Sequence, residues 1–393
     1  MTDIIRWIVV AGLAVHGLIH LLGAVKGFGW NEVAQLSAPV GPTAGVLWLV
    51  AALLVLAAAG LLAAGAPTWW WAVALTGVLA SQMAIATAWS DAKAGTAVNV
   101  LLLLAAGYAF AAAGPGSFHA QWSQQATRAL AEAGPTPSLL TESALRGLPE
   151  PVAAYVRRSG AVGRPRVTNF SATFHGRIRG GPTQAWMPFH GTQVNTYWPR
   201  PQRVFIMDAT KSGLPVTALH LFAASTATMR VKLLSLVTVV DAAGPEMNRG
   251  ETVTVFNDLV VFAPGAIIGA PIRWTLLDAQ HVRGVFTDND QSVSAVLTFN
   301  PQHDLVNFTS QDRSRASSDG KSFTRQGWST PLSEHRDVRG RRVLAAGESR
   351  WHAPPPEGEF TYVELAVDDI AYNVHSVGSG YESGLRTLTG TSP

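Results

Sequence analysis

None of the 393 residues is cysteine, which excludes a disulfide framework, a thiolate metal site and a thiol nucleophile. Cysteine-free chains occur on either side of a membrane, so this absence leaves the compartment open. Charge is scarce as well: 14% of residues are charged, against about 25% in soluble domains. The shortage is local. Between Trp7 and Ala113 the charged side chains are Lys26, Glu32, Asp91 and Lys93, whereas the 280 residues from Gly114 onward carry 49 of the 55 charges. A wholly soluble protein is thereby excluded, and so is one buried entirely in lipid. A net charge of +3, dispersed along the chain, excludes a nucleic-acid footprint. There is no GxSxG elbow, no P-loop and no HExxH, and no internal repeat of 20–50 residues.

What the poorly charged region does contain is apolar runs. They cover Ile4–Val25, Ala44–Ala64, Trp69–Ala88 and Ala97–Ala113, each near the roughly 20 residues that cross a hydrocarbon layer. Trp7, Trp48, Trp69-Trp70-Trp71 and Trp89 lie near the run ends, where indoles favour the headgroup layer. The first run is too long for a signal-peptide core and lacks a small-x-small site before Lys26, so it is expected to be retained. Small residues fill runs two to four and predict close helix packing in a four-helix transmembrane bundle over 1–114. Four spans place both flanking segments on one side. Arg6 and Arg128 flank that side, Lys26 and Lys93 the other, a tie that leaves orientation open.

Beyond the bundle the pattern changes twice. A helical connector is expected over 115–163, with one helix at Gln121–Gly134, a break at Pro135 and Pro137, and a second stretch at Thr141–Ser159 whose helix proper begins at Pro151. From Arg166 the period becomes two: Phe170, Ala172, Phe174 and Ile178 alternate with Ser171, Thr173, His175 and Arg177. Similar strands are predicted at Met229–Leu233, Val293–Phe299, Val306–Phe308 and Thr361–Val367. Turn signals separate them at Gly180-Gly181-Pro182, Asp288-Asn289-Asp290 and Ser318-Asp319-Gly320. A helix is predicted at Glu251–Phe262. The region 164–393 is therefore expected to be an α+β domain, an antiparallel curved sheet or half-barrel with one or two packed helices.

Two sets of residues resemble known families. His16-Gly17-Leu18-Ile19-His20-Leu21-Leu22-Gly23, with Trp89-Ser90-Asp91-Ala92-Lys93, Gly95-Thr96 and Asn99, resemble an uncharacterised bacterial family of four-span membrane proteins. Leu148-Pro149-Glu150-Pro151-Val152, Tyr155, Trp186-Met187-Pro188, Gly250-Glu251, Phe262-Ala263-Pro264, Trp274 and Thr287-Asp288 resemble a domain of unknown function often fused to it. The resemblance implies architecture and no reaction. It implies a layout similar to the lipoprotein-carrier half-barrel, which shelters acyl chains.

The candidate sites follow from side-chain chemistry. His16 and His20 lie four apart on one helix face and could ligate zinc or iron, serve a haem or a proton relay, or hydrogen-bond between helices as neutral groups. A metal site needs three or four ligands, and Gly17 stands where HExxH carries its base. Lys93, with Lys26 and Trp30 if they share its face, could hold a lipid phosphate; a solvated Asp91–Lys93 pair is the simpler alternative. Trp186, Trp198, Trp274 and Trp328 could line an apolar cavity or pack the core; Trp186, Trp274 and Trp328 are taken as ligand-binding candidates. That cavity is expected on the concave face, closed on one side by Glu251–Phe262. The histidines from His175 onward are scattered and suggest no catalytic group, and no cofactor is identifiable. These readings point to a multi-pass cell-membrane protein whose β domain, expected outside the cytoplasm, binds a lipid or other apolar ligand at the bilayer. A metal, haem or redox enzyme built on His16 and His20 is one alternative. A sensor or scaffold whose β domain binds a protein is the other.

Overall fold

The computed structural model describes residues 3–134 and 138–377. Two compact units divide the chain, one ending at Gln121 and the other beginning at Trp122. Pro135 and Pro137, the expected break, lie outside the described residues.

The first unit holds α1 (Asp3–Gly27), α2 (Pro42–Ala63), α3 (Trp70–Thr87), a single turn α4 (Trp89–Ala92) and α5 (Gly95–Ala113). Four helices are long and apolar enough to cross a membrane. Large apolar side chains such as Ile8, Leu18, Leu53, Leu79, Leu101 and Leu104 point outward, a pattern compatible with a lipid surround. Small residues let the helices meet. A Cβ on Gly23 would fall 2.1 Å from the Trp48 ring, and one on Gly27 would fall 2.5 Å from Gly45 Cα, so α1 and α2 touch through glycine. Ala51, Ala52, Ala58, Ala74 and Ala84 are fully buried.

The tryptophans divide. Trp7, Trp69 and Trp89 are exposed, as expected of interfacial anchors, but Trp48 and Trp70 are buried inside the bundle. Each donates its indole N–H internally, Trp48 to Thr87 Oγ1 (2.9 Å) and Trp70 to Ala58 O (2.8 Å). An indole with a partner inside a bundle has no need of the headgroup layer.

The second unit is one antiparallel sheet of fourteen strands. In chain order these are β1 (Asn169–Ile178), β2 (Met187–Thr196), β3 (Gln202–Lys211), β4 (Leu214–Ala223), β5 (Thr226–Leu233), β6 (Val237–Ala243), β7 (Ile272–Leu276), β8 (His281–Asp288), β9 (Gln291–Phe299), β10 (Leu305–Ala316), β11 (Phe323–Ser329), β12 (Leu332–Val338), β13 (Arg341–His352) and β14 (Glu359–Tyr372). The spatial order is β6-β5-β4-β3-β2-β1-β14-β13-β11-β10-β9-β8-β7, with β12 paired beside β13. The expected turns fall between strands, at β1–β2, β8–β9 and β10–β11; the latter two carry positive φ at Asn289 and Gly320.

Three helices serve this sheet: α6 (Phe118–Glu132), α7 (Glu150–Arg158) and α8 (Pro245–Phe262). Helix α7 starts at Glu150, with Pro151 in its first turn as expected, preceded by a 3₁₀ turn at Glu142–Leu145. Helix α8 begins six residues earlier than the apolar pattern suggested. Gly244 at φ +104 turns the chain and Pro245 opens the helix, a start signalled by backbone chemistry rather than hydrophobicity.

Helix α8 joins β6 to β7, the two free ends of the sheet, so it crosses the concave face and touches β5, β6, β9, β10 and β13. Every residue from Gly250 to Phe262 is buried. Val253, Val255, Phe256, Leu259 and Val260 enter the main core with Phe170, Phe286, Phe299 and Phe308. The hydroxyls of Tyr155 and Tyr372 donate to the carbonyls of Val260 and Phe262, satisfying acceptors left over at the helix end. The expected lid on one side of a cavity is thus a central packing element. On the convex face Val194, Val204, Ile206 and Leu219 are buried, and Trp122 of α6 donates to Val204 O (3.2 Å). That helix belongs with the sheet, which explains why Val204-Phe205-Ile206-Met207 is apolar on both parities.

Candidate functional site

Strand pairing across β14, β1, β2, β3, β4 and β5 aligns concave residues in rows. The first row runs Tyr372, Phe170, Asn195, Arg203, Phe222, Ala227, and the second Ile370, Ala172, Gln193, Phe205, His220, Met229. Helix α8 lies over these rows through Glu251 and Asp258, seven residues and two turns apart on one helix face.

The seam they form is fully buried. Arg203 donates through Nε to Asp258 Oδ2 (2.9 Å), through Nη1 to Glu251 Oε2 (3.2 Å) and through Nη2 to Gln193 Oε1 (3.2 Å). Gln193 Nε2 and Asn195 Nδ2 also donate to Asp258 Oδ2, at 2.7 and 3.1 Å. On the other side Glu251 Oε1 lies 3.7 Å from both His220 Nδ1 and Arg313 Nη2. Burial raises the Glu251 carboxyl, but Arg203, His220 and Arg313 outweigh it and hold it well below the usual carboxylate range. For Asp258 burial wins over Arg203 and the two amides, and its carboxyl is raised. Burial also lowers His220 and favours the neutral ring.

The next rows are different. Row three runs Val367, Phe174, Gly191, Met207, Ala218, Val231, Val240; row four runs Leu365, Gly176, Phe189, Ala209, Val216, Leu233; Val363, Ile178 and Met187 follow. None is polar. Phe189, Ala209 and Val216 are buried, while Ile178, Met187, Met207, Val231, Leu233, Val363 and Leu365 are partly open. Two glycines make this floor flat. A Cβ on Gly191 would lie 2.8 Å from the Phe205 ring and one on Gly176 3.0 Å from the Phe189 ring, so both phenyl groups lie down over glycine. The β10–β11 turn bounds the floor at β6: a Cβ on Gly320 would lie 2.8 Å from Val240 Cγ1 and 3.1 Å from Ala242 Cβ.

The sequence-derived candidates fall elsewhere. Trp328 is fully packed and Trp274 half-buried, joined in one aromatic stack through Phe256 and Phe308. Trp186 stands apart, between the guanidinium groups of Arg177 and Arg179 at 4.6 and 4.4 Å. Trp198 is exposed. Sequence reasoning missed Arg203, Glu251, Asp258 and Arg313 as site residues, although two acids seven apart in the otherwise uncharged stretch Glu251–Phe262 were a usable signal.

In the bundle, His16 and His20 are both buried with Nε2 directed at Ser81 Oγ (3.2 and 2.7 Å). His16 Nε2 also lies 3.2 Å from Asn99 Oδ1, Ser81 donates to Asn99 Oδ1 (2.8 Å), and Asn99 donates to Gln82 Oε1 (3.0 Å). Among the described residues no group of three or more His, Cys, Asp or Glu gathers as metal ligands. Lys93 is exposed beside α4, but Asp91 is not its partner. The Asp91 carboxylate accepts from Ala38 N (2.9 Å) and Ser37 N (2.6 Å) and Oγ (2.8 Å), which hold it below the usual range. Lys26 donates to Leu36 O.

A cleft of about 540 Å³ opens beside Gln311, Arg325, Gly327, His352 and Pro354. Nearby, Ser329 Oγ lies 2.8 Å from His352 Nε2, and His352 Nδ1 lies 3.2 Å from Glu359 Oε2. Ser329 is only 3% exposed and Glu359 also accepts from Arg350, so the three tie β11, β13 and β14 together rather than present a nucleophile.

Comparison with known proteins adds the following. No curated protein matches the chain. A DUF1329 family protein from Desulfovibrio piger is 10% identical, with a TM-score of 0.35 over 59% of this chain and 95% of its own. A domain assigned to outer-membrane lipoprotein sorting from Vibrio parahaemolyticus is 10% identical, with a TM-score of 0.32 over 56% and 92%. LprF from Mycobacterium bovis is 9% identical, with a TM-score of 0.19 over 62% and 100%. Likeness this weak carries no functional meaning. The family described as a family of unknown function, DUF6544, matches residues 138–365, more than half of the sequence, and the chain belongs to that family.

Proposed function

We propose that this is a multi-pass membrane protein whose β unit, on the extracytoplasmic side, binds a lipid or other apolar chain on the open floor of its concave face. The observation that carries the reading is the unbroken apolar field of rows three onward, partly exposed although the rest of the same face is filled by α8. Each methylene laid on that floor would gain about 0.8 kcal/mol, enough for one acyl chain to bind usefully. A concave floor with phenyl rings lying flat suits a flexible chain better than a protein surface, which favours this reading over a scaffold.

The test uses the full chain in nanodiscs and a 16-carbon alcohol bearing a terminal diazirine. Photo-adducts are expected on peptides from β2 to β5, and Val231→Asp should lower their yield several-fold. Adducts confined to the apolar helices would sink the reading. Orientation has a direct check because the sequence has no cysteine. Single cysteines at Ser318 and Asn31, both exposed, should behave oppositely towards an impermeant maleimide in intact cells, with Ser318→Cys labelled. Labelling of Asn31→Cys alone would put the β unit inside.

A further inference from the structure

Resting on the reading above, we propose that the apolar ligand carries an anionic head, a carboxylate or phosphate, held by Arg313 and His220 where the charged seam meets the apolar floor. The location comes from the register. His220 is the second-row residue of β4, in ring contact with Phe205, and the next concave residue along that strand is Ala218 of the floor. Arg313 reaches the same point from β10, since its Nη2 and His220 Nδ1 approach the same oxygen, Glu251 Oε1. Both side chains remain partly open, Arg313 at 15% and His220 at 18%.

The chemistry comes from what these two groups leave unused. Arg203 is engaged through all three of its nitrogens, by Asp258, Glu251 and Gln193. Glu251 Oε2 is committed to Arg203, and its other oxygen stands 3.7 Å from Arg313, an ion pair that is too long for a hydrogen bond and leaves the guanidinium N–H groups unfilled. His220 Nδ1 is buried without a hydrogen-bond partner among the described residues. Asp312, next to Arg313 in sequence, is engaged by Arg249 (2.7 Å), Arg325 (2.5 Å) and Ser294, and neutralises nothing here. Arg313 lies over the Trp328 ring at 4.4 Å, which fixes the guanidinium plane and leaves its N–H edge free to meet a flat or tetrahedral anion. The floor carries no acidic side chain, and the one carboxylate facing the head, Glu251, already shares its charge with Arg203. An anionic head would complete donors that the fold leaves incomplete, and its tail would run over Met207, Val231 and Leu233.

The experiment displaces the neutral diazirine alcohol from the full chain in nanodiscs with three C16 competitors: palmitate, hexadecyl phosphate and hexadecanol. At least one anion is expected to compete about tenfold or more better than hexadecanol, the scale of a charge-assisted hydrogen bond. Which anion does so separates a fatty-acid site from a phospholipid-like one. Arg313→Gln should bring the ratio to about one, while Arg313→Lys, which keeps the charge, should retain part of it. His220→Leu offers a second route if the arginine variants lose their strand signal, and should also shrink the ratio. Equal competition by all three in the wild type, or a preference that survives both Arg313→Gln and His220→Leu, overturns the proposal. If the diazirine alcohol never reaches β2–β5, the binding reading itself falls and this inference with it.

Discussion

The apolar helices and the β unit bury polar groups in opposite ways. Inside the bundle the interior cluster is of uncharged residue types and imidazoles: His16, His20, Ser81, Gln82 and Asn99 share hydrogen bonds among α1, α3 and α5. Beneath α8 the groups are formally charged, Arg203 between Glu251 and Asp258, with amides filling the remaining valences. A helix in lipid already satisfies its own backbone, so modest polar contacts suffice to set its neighbours. A helix laid on a sheet can slide along it, and a buried charge with one geometry removes that freedom at a desolvation cost.

The largest expected effect tests this difference directly. Arg203→Met leaves two carboxylates without their cation and should destabilise the β unit by about 3–5 kcal/mol, read as a lower urea midpoint of the strand dichroism. Adding Glu251→Gln and Asp258→Asn should restore most of the loss. A cost below about 1 kcal/mol for the single variant would mean that packing, not charge, fixes α8.

Acid should expose the same contrast. Glu251 is held below its usual range, and so is Asp304, where burial is outweighed by bidentate Arg158 and Arg342. Their stabilising contribution is complete above the ordinary carboxylate pKa of about 4 and is lost as pH falls towards their folded values. His220, kept neutral, adds a loss that begins as pH drops below about 6.5, whereas the raised Asp258 opposes both. The β unit should therefore melt at progressively lower temperature between pH 7 and 3. A flat profile would contradict the assignment.

Smaller changes are expected in the helices. Replacing His16 and His20 together by Gln preserves hydrogen-bonding capacity and should cost about 1 kcal/mol or less. Elemental analysis of the same pair of proteins decides the metal alternative: stoichiometric zinc or iron in the wild type, lost in the double variant, would make the histidines ligands. Smallest of all, Lys93→Ala should leave stability unchanged and weaken retention of anionic phospholipid by about 1 kcal/mol. An unaltered lipid complement would remove Lys93 from the headgroup role.

Much of the fold was legible because burial follows period. The alternation at Phe170–Ile178 and at Val293–Phe299 marked β1 and β9, and the apolar runs marked the four long helices. Trp48 misled because position near a run end cannot say whether an indole has an internal partner, here Thr87. The seam was not legible as a site. Arg203, Gln193 and Asn195 look like ordinary strand polar residues until pairing sets Asn195 opposite Arg203 and Gln193 opposite Phe205 beneath α8. That register depends on contacts between distant segments, which no local pattern encodes. The floor was half legible: Met229–Val231–Leu233 showed a strand, but only its alignment with Gly191, Met207 and Ala218 shows a continuous apolar field.

The charged seam also decides which part of the β unit can move. Swinging α8 off β2 and β3 would separate Glu251 and Asp258 from Arg203, at several kcal/mol for each charge left alone. The helix is a keystone, not a door. The other boundary of the floor is the turn from Ser317 to Ser322. That turn is braced from within by Ser317 Oγ to Asp319 (2.7 Å) and by Ser317 N to Ser322 O (2.8 Å), and it meets β6 through the bare backbone of Gly320. On the proposed reading, a chain entering or leaving the floor would pass beneath this β10–β11 turn, since the charged seam holds the opposite boundary shut.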